Sequence, residues 1–228
     1  MAPFFSVNTV TDNTKHDEIV DGFEIITLPS PMYYGRISVE ETMFKRRSIR
    51  SFPNFPLTIR EVAQLLWAAY GITEKTKPGL RRRLKTAPSA GTCYPLEIYL
   101  IVGKVTNLKI GVYKYAPEKH SLIPVLMGDI RKKLCRAAHN QEAIKKAPAS
   151  IVYSAVFDRT TAKYGIRGFN RYVSIDVGHS AQNVYLQAVS LKLATCAIGD
   201  FDDDSVAKVI PFSKDETPLY IMPCGKKI

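Results

Sequence analysis

Two stretches in the first third of the chain place apolar residues at helical spacing behind a capping signal. Ser38 and Thr58 each stand three residues before a glutamate, the arrangement in which two side chains cap the first turn of a helix. The first helix is expected to run to Lys45 or Arg46, and the second to stop at Gly71. Apolar residues recur every three or four positions behind Thr58, so the second helix should pack on the core.

The rest of the chain alternates short β-branched and aromatic runs with turn residues and helical periods. Strands are predicted over residues 97–102, 111–115, 121–126, 150–156, 195–199 and 218–224, with the second and third forming a hairpin. Helices are predicted over residues 129–138, 142–146 and 159–164. Three acids at 202–204 are typical of a further helix start, where they complement the helix dipole. These elements describe a mixed sheet-and-helix protein.

A long helix over residues 174–192 is apolar on two sides. Its polar stripe consists of Asp176, His179, Asn183, Gln187 and Ser190 and so contains a single carboxylate, whereas a solvated helix face usually favours Lys and Glu. We therefore expect this helix to be covered nearly all round, either by its own domain or by a partner subunit.

The N-terminal residues 1–34 show no helical period, and prolines interrupt them, so an extended arm is expected there, followed by a single domain over residues 35–228. Apolar residues make up 46% of the 228 residues and charged residues 23%, which is the balance of a globular protein with a core. No apolar run approaches the roughly 20 residues that span a bilayer. Neither a membrane segment nor a basic leader is visible, and a cytoplasmic location is expected.

Net charge is +11, with clusters at residues 45–47 and 81–83. Such an excess either binds nucleic acid or steers small phosphorylated ligands into a cleft. The clusters are short and lack interleaved aromatic residues, which disfavours nucleic acid. The four cysteines and four histidines are scattered without metal-ligand spacing, so no metal site is predicted and the cysteines are interpreted as structural thiols. Glycine-rich nucleotide motifs are absent.

Two segments carry candidate chemistry. At residues 46–50, Arg46, Ser48 and Arg50 alternate in an extended stretch, so their side chains share a face and can converge on one anionic ligand. The same cations would equally neutralise the end of the preceding helix. At residues 86–96, small residues lie between two prolines, and their backbone can approach a flat ligand closely.

Four motifs occur in the order and spacing of the FMN-dependent nitroreductase family. They are Arg-Arg-Ser-Ile-Arg at 46–50, Pro-Ser-Ala-Gly at 88–91, Gly-His-Ser-Ala-Gln-Asn at 178–183 and Ile-Gly-Asp-Phe-Asp at 198–202. The chain resembles this family over residues 38–225, and Tyr-Pro-Leu-Glu at 94–97 is similar to the SagB-type azoline dehydrogenases. The resemblance implies an α+β fold with a mainly antiparallel sheet sandwiched by helices, and a homodimer with two FMN sites at its interface.

The resemblance also implies roles for individual residues. Arg46 and Ser48 match positions that hold the FMN phosphate and ribityl chain, and Arg50 matches a cation beside the flavin pyrimidine. The remaining expected cofactor-binding residues are Arg47, Pro88, Ser89, Ala90 and Gly91, the last four contributed by the other subunit, together with Gln141, Ile198, Gly199 and Lys226. Gly199 is expected to direct its backbone N–H at flavin N5, and Lys226 or Lys227 to contact the phosphate.

The function implied is hydride transfer between NAD(P)H and a small organic acceptor through flavin N5, with no catalytic side-chain nucleophile because the cofactor carries the redox chemistry. An alternative is azoline oxidation on a modified peptide. An alternative of another class is a basic protein that binds flavin or nucleic acid without turnover. The basic residues Arg81–Arg83 are a candidate rim for a nicotinamide phosphate, or only a solvated loop.

Overall fold

A computed structural model describes residues 19–20, 23–74 and 84–227. Its strands are β1 (Ile19–Val20), β2 (Phe23–Glu24), β3 (Ile26–Thr27), β4 (Ile72–Glu74), β5 (Leu84–Lys85), β6 (Leu96–Val102), β7 (Gly111–Ala116), β8 (Ser121–Met127), β9 (Ala149–Val156), β10 (Leu193–Thr195) and β11 (Glu216–Lys226). Its helices are α1 (Val39–Lys45), α2 (Ile59–Tyr70), α3 (Arg131–Ala137), α4 (Glu142–Lys146), α5 (Asp158–Tyr164), α6 (Val173–Ser190) and α7 (Asp203–Val209). A short 3-10 turn covers Ala90–Thr92, and a π-helical segment, Gly168–Tyr172, leads into α6.

Seven strands form one sheet in the order β10, β11, β9, β6, β7, β8, β3, and every neighbouring pair is antiparallel. β7 and β8 form the predicted hairpin. All eight residues of β9 are buried, as expected for a central strand that is covered on both faces. The mainly antiparallel α+β architecture is therefore confirmed.

Alternate residues of the central strands enter two separate cores. Ile98 and Leu100 of β6 face the core that includes α2 and α6, whereas Tyr99 and Ile101 face the core that includes α3, α4 and α7. Because both faces of the sheet bury apolar side chains under helices, the sheet is sandwiched as the resemblance implied.

The capping signals are confirmed to different extents. At α2 the box is complete, since Thr58 Oγ1 accepts the Glu61 N–H at 3.2 Å and the Glu61 carboxylate accepts the Thr58 N–H at 2.8 Å. At α1 only half of it forms, since Ser38 Oγ accepts the Glu41 N–H at 3.1 Å. The Glu41 carboxylate reaches forward to Lys45, one turn along the helix, and so does not return to Ser38.

The strand predicted over residues 195–199 is wrong in its bounds. β10 ends at Thr195, and only Ile198 rejoins β11, through an isolated bridge to Ile221. The chain leaves the sheet because the N–H of Ala197 donates to the Tyr185 hydroxyl at 2.7 Å and not to a strand. This detour shapes the candidate site described below.

The polar stripe of α6 bonds within the chain. Asp176 contacts Ser89, Asn183 donates to the Thr86 carbonyl at 3.1 Å, and Gln187 accepts from Gln64 at 3.1 Å. The adjoining face stays exposed, at Ser174, Ile175, Gly178, His179 and Gln182. One copy of the chain therefore covers α6 only in part.

The expected N-terminal arm lies partly outside the described residues. Its described end supplies β3 to the sheet edge and buries Leu28. Gln64 of α2 then holds the backbone of Met32 at two points, accepting its N–H at 2.8 Å and donating to its carbonyl at 3.0 Å. The candidate rim Arg81–Arg83 lies outside the described residues. Among the described helices, none combines the length and hydrophobicity of a membrane span.

Candidate functional site

The Arg46–Arg50 segment lies along the edge of the sheet, beside the chain that leaves β10. Ser48 forms a parallel bridge with Thr195, and the N–H of Ile49 donates to the Thr195 carbonyl at 3.0 Å. These contacts join the motif at 46–50 to Thr195, three residues before the motif at 198–202.

Tyr185 of α6 fastens these two segments together. Its hydroxyl lies 2.9 Å from Ser48 Oγ and accepts the Ala197 N–H, while the guanidinium of Arg46 lies 5.2 Å from the ring centroid. A cation over an aromatic face is attracted by the ring. Sequence reasoning missed Tyr185, because nothing in a helical pattern distinguishes one half-buried tyrosine from core packing.

A cationic cavity of about 390 Å³ opens beside the segment on the face of Arg47 and Ile49, opposite to the face shared by Arg46, Ser48 and Arg50. It is lined by Lys45, Arg47, Lys192 and Lys227 and by the aliphatic residues Ile37, Ile49, Val189 and Leu193. No carboxylate belongs to this lining, although Glu41 pairs with Lys45 from one helical turn away. Such a cavity suits a multiply charged anion at its cationic wall.

The two lysines at the end of β11 point to different places. Lys226, the expected phosphate ligand, forms an ion pair with Glu61 of α2 at 2.5 Å. Burial raises the pKa of the Glu61 carboxyl, but the hydrogen bonds from Lys226 and Thr58 outweigh it, so the pKa lies below its usual value. Lys227 instead lines the cationic cavity.

The other end of the segment holds Arg50, Ile198 and Gly199. Burial raises the pKa of the Cys196 thiol, and the positive charge of Arg50 opposes that shift. Ile198 exchanges both backbone hydrogen bonds with Ile221 at 2.9 Å. Gly199 is exposed, and a Cβ there would lie 3.3 Å from the Tyr220 ring, so the protein's own packing favours glycine at this position.

The 88–91 loop packs against the first turns of α6. Ser89 donates to the Asp176 carboxylate at 2.5 Å and accepts the Tyr94 N–H at 2.9 Å, and the Ala90 N–H reaches Asp176 at 3.4 Å. Burial raises the pKa of Asp176, against the hydrogen bonds from the loop. Gly91 has φ +56°, and two non-glycine residues, Thr92 and Tyr94, are also left-handed. Such backbone strain is typical of functional loops.

The loop and the Arg46–Arg50 segment lie on opposite sides of α6. Asp176, which holds the loop, and Tyr185, which holds the segment, are nine residues apart, or about two and a half turns at 3.6 residues per turn. Their side chains consequently leave the helix in opposite directions, with about 14 Å of axial rise between them. A single copy of the chain brings the expected site residues together in two clusters, not one.

Gln141 lies outside both clusters, in a corner beside the 199–202 chain. It is the N-terminal cap residue of α4, although its side chain makes no capping hydrogen bond. The corner is joined to the neighbouring chain because the Asp202 N–H donates to the Ala137 carbonyl at 3.0 Å. The structure therefore brings Gln141 toward the Gly199 end of the segment.

Two further side chains, missed by the sequence reasoning, adjoin the loop. Lys163 donates to the Gly91 carbonyl at 3.4 Å, and a Cβ on Gly91 would lie 2.4 Å from the Tyr164 hydroxyl. Both are in α5, and their spacing in the sequence carries no recognisable signal, because only the fold brings α5 to the loop.

A larger cavity, of about 410 Å³, lies between residues 32–39, α2 and α6. Its lining includes Trp67, Gln64 and Asn183 but no lysine or arginine, so it offers nothing to an anionic phosphate. Among the described residues, no group of His, Cys, Asp and Glu side chains is placed to hold a metal ion. The four cysteines are buried free thiols.

The comparison with known proteins gives a consistent assignment. The model of the nitroreductase family matches residues 43–226. A candidate nitroreductase of Methanocaldococcus jannaschii is 45% identical over 192 residues, which are 84% of this chain and 92% of the relative. The microcin B17-processing protein McbC of Escherichia coli is 30% identical over 193 residues, 80% of this chain and 68% of McbC.

A solved structure supports the same assignment. The structure of a candidate nitroreductase from Anabaena variabilis matches with a TM-score of 0.76 and 30% identity over 89% of this chain, and this chain spans 41% of that protein's length. The family match over residues 43–226 includes all four motifs that carried the resemblance. The chain belongs to the nitroreductase family of oxidoreductases.

Proposed function

We propose that this protein is an FMN-dependent oxidoreductase that works as a homodimer and passes hydride between NAD(P)H and a small organic acceptor. The observation that carries the proposal is the bridge between Ser48 and Thr195, which joins the 46–50 segment to the chain that leads to Gly199, with a cationic cavity beside the segment at Arg47. Four residues of extended chain span about 13 Å. An elongated ligand with an anionic end fits such a track.

Each residue of the track has a distinct role in holding FMN. Arg46 binds the phosphate, because a guanidinium group donates strong hydrogen bonds to phosphate oxygens. Arg47 and Lys227 of the cavity add positive potential from the other face of the segment. Ser48 binds the ribityl chain from its position beside Tyr185. Arg50 contacts the pyrimidine edge, where its charge stabilises negative charge on the ring.

When bound, FMN supplies the hydride acceptor and donor at N5. Gly199 would lie at that edge of the ring, where it bears no side chain that blocks approach, and the buried Ile198 would hold Gly199 in place through its two bonds to Ile221. Gln141 flanks the same end. Positioning and electrostatics are the protein's contribution, so no nucleophilic side chain is required.

The second copy of the chain completes each site. Pro88, Ser89, Ala90 and Gly91 lie on the far side of α6 from Arg46, so in our proposal they cover the ring of the FMN held by the other subunit. The exposed apolar residues Val39, Met43 and Phe44 on α1, with Ile175 on α6, provide surface for such an interface. The face of α6 that one copy leaves uncovered is buried in the same contact.

The test begins with the purified protein and FMN. We expect a yellow protein, or a colourless one that becomes yellow on adding FMN, whose flavin absorption is bleached by NAD(P)H without air. Arg50→Ala is expected to weaken FMN binding about tenfold, since hydrogen bonds to charged groups contribute about 1.5–3 kcal/mol. Arg60→Ala, at an exposed position on α2, removes the same charge elsewhere and should leave the affinity unchanged.

Protein that takes up no FMN would overturn the proposal. FMN-loaded protein that no nicotinamide bleaches would favour the second candidate, oxidation of an azoline ring in a modified peptide. That candidate rests on the similarity to McbC, whose name describes the processing of microcin B17, and on the Tyr-Pro-Leu-Glu motif at 94–97. A thiazoline-containing peptide that reduces the bound flavin would establish it.

A further inference from the structure

The corner between α3 and α4 is held in an unusual conformation next to the proposed N5 end of the site. His139 and Asn140 have φ values of +47° and +60°, so two consecutive non-glycine residues are left-handed. The corner is fixed by backbone hydrogen bonds from Asn140 to Cys135 and from Gln141 to Ala138, both 2.9 Å. Strained residues of this kind persist where the surroundings impose them and cluster at functional sites.

This conformation presents His139 to the chain that follows Gly199. The imidazole Nε2 lies 3.7 Å from a carboxylate oxygen of Asp200, the residue directly after Gly199. The side chain of His139 is 54% exposed and that of Asp200 80% exposed, so a ligand that lies over this edge can reach the imidazole. The backbone hydrogen bond from Asp202 to Ala137 holds the corner against the segment that follows Gly199.

Charges of both signs surround the imidazole. Asp200 faces the imidazole directly. Hydrogen bonds from Ser205 are the main reason that the pKa of Asp202 lies below its usual value, and the charges of Lys208 on α7 and of His139 lower it further. On α4, Glu142 pairs with Lys145 and Lys146. Histidine is the side chain that ordinarily gains and loses a proton near neutral pH, and its protonated form donates a proton.

On the basis of the proposed function, we infer that His139 is a catalytic residue that donates the proton accompanying hydride transfer to the acceptor. A quinone acceptor takes up one hydride, which originates from NAD(P)H, and one proton. The imidazolium N–H bond breaks as the O–H bond of the hydroquinone forms, and solvent reprotonates the neutral imidazole. No other oxidant or reductant is needed, and Asp200 acts as a positioning residue through its 3.7 Å contact with the imidazole.

The test uses FMN-loaded protein and single-turnover oxidation of the reduced enzyme by a benzoquinone, followed between pH 5 and 9. His139→Asn keeps a residue that tolerates the left-handed conformation and removes the titrating group. We expect it to slow oxidation about 100-fold at low pH, within the usual contribution of general acid catalysis, and to abolish the fall of the rate with rising pH. Asn140→Gly preserves the corner and the imidazole, and should retain the wild-type profile.

Two readouts separate this role from the proposed function. FMN affinity and the rate of flavin reduction by NAD(P)H should be unchanged in His139→Asn. A FMN-loaded His139→Asn protein with the wild-type rate and pH profile overturns the proton-donor role alone. Wild-type protein that binds no FMN overturns the proposed function and this role with it.

Discussion

Tyr185 and Ser48 lie 137 residues apart in the sequence, yet their side-chain oxygens are 2.9 Å apart. The same tyrosine hydroxyl accepts the Ala197 N–H at 2.7 Å, so one side chain of α6 fixes both segments of the proposed FMN track. A single phenolic oxygen thereby couples the position of Arg46–Arg50 to that of the chain leading to Gly199.

Removing this oxygen should weaken the attachment of both segments to α6 without leaving a large cavity in the core. We expect Tyr185→Phe to lower the free energy of unfolding by about 1 kcal/mol, since the half-buried Ala197 N–H loses its acceptor. FMN affinity should fall about tenfold. Urea denaturation of the apoprotein and FMN titration measure the two effects. Tyr34→Phe, at a side chain 93% exposed, is the matched control, and equal effects of both substitutions would contradict the role of Tyr185.

The neighbouring lysines 226 and 227 provide a second matched pair. Lys227→Met is expected to weaken FMN binding about tenfold, because Lys227 lines the cationic cavity, and to leave stability within about 0.5 kcal/mol of wild type. Lys226→Met should instead destabilise the fold by about 1 kcal/mol through loss of its ion pair with Glu61, with little effect on FMN. The reverse pattern in FMN titration and urea denaturation would assign the phosphate contact to Lys226.

That difference shows where sequence reasoning stops. The alternation of Arg46, Ser48 and Arg50 placed three side chains on one face from the local geometry of an extended chain alone. The sequence does not show which of Lys226 and Lys227 contacts the phosphate. The direction of each side chain depends on the register of β11 against β10 and on Glu61 in a distant helix.

The fold shows the same division between local and distant causes. The complete capping box at Thr58 and the hairpin of β7 and β8 depend on residues close together in the chain, and both were predicted. The end of β10 at Thr195 was missed, because an apolar run predicts a strand and only the distant Tyr185 hydroxyl diverts Ala197 from the ladder. The corner at His139 was equally invisible, since neither residue in it is glycine.

A buried polar network across the sheet should contribute much more to stability than an exposed ion pair. Glu216 accepts from Lys114 at 2.9 Å, from Tyr99 at 3.1 Å and from Ser154, and its side chain is 1% exposed. We expect Glu216→Gln to lower the free energy of unfolding by about 2 kcal/mol. Glu41→Gln, which breaks the exposed pair with Lys45, should cost about 0.5 kcal/mol. Urea denaturation compares them, and similar costs would contradict the burial argument.

The same network gives a pH dependence. Burial raises the pKa of Glu216, but the hydrogen bonds and charge of Lys114 and the Ser154 hydroxyl outweigh it, so the folded-state pKa lies below the ordinary 4.5. The carboxylate therefore stabilises the fold fully above pH 4.5, and this contribution is lost as pH falls through the folded-state pKa. The stability difference between wild type and Glu216→Gln should shrink below pH 4.5. A constant difference down to pH 3 would exclude the linkage.

As pH falls, the stabilisation from His120 should be lost at a higher pH than the stabilisation from Glu216. Its Nε2 donates to the Pro29 carbonyl at 3.0 Å, and its Nδ1 lies 2.8 Å from the Tyr115 hydroxyl. The neutral ring therefore connects the segment around Pro29 to the β7–β8 turn. Burial lowers the pKa of His120 against the bond to Pro29. The stabilisation is present above the ordinary pKa of 6.5 and declines as pH falls below it, because the unfolded chain binds the proton more readily.

The matched variant is His120→Asn, since asparagine tolerates the φ of +46° at this position. At pH 8 it should be about 1–2 kcal/mol less stable than wild type, through the lost hydrogen bonds. Unfolding in urea at pH 8, 6.5 and 5 should show this gap narrowing toward low pH. A gap that widens on acidification would mean that the charged imidazole is the stabilising form.

The opposed directions of Asp176 and Tyr185 on α6 predict that two damaged subunits can restore one site. Arg46→Ala removes a cation from the segment that holds FMN. Gly91→Ala distorts the loop, because the φ of +56° at Gly91 disfavours any side chain and the new Cβ would lie 2.4 Å from the Tyr164 hydroxyl. Each variant homodimer should bind FMN at least about tenfold more weakly than wild type. Circular dichroism checks that both variants fold.

In a heterodimer of the two variants, one site combines the intact Arg46 of one copy with the intact loop of the other. Half of the sites should therefore regain wild-type affinity, whereas the remaining site carries both lesions and binds more weakly than either homodimer. Co-expression with two different affinity tags isolates the heterodimer, and FMN titration gives the number of tight sites. If no tight site appears, the loop does not complete the FMN site of the other subunit, which contradicts the proposed arrangement.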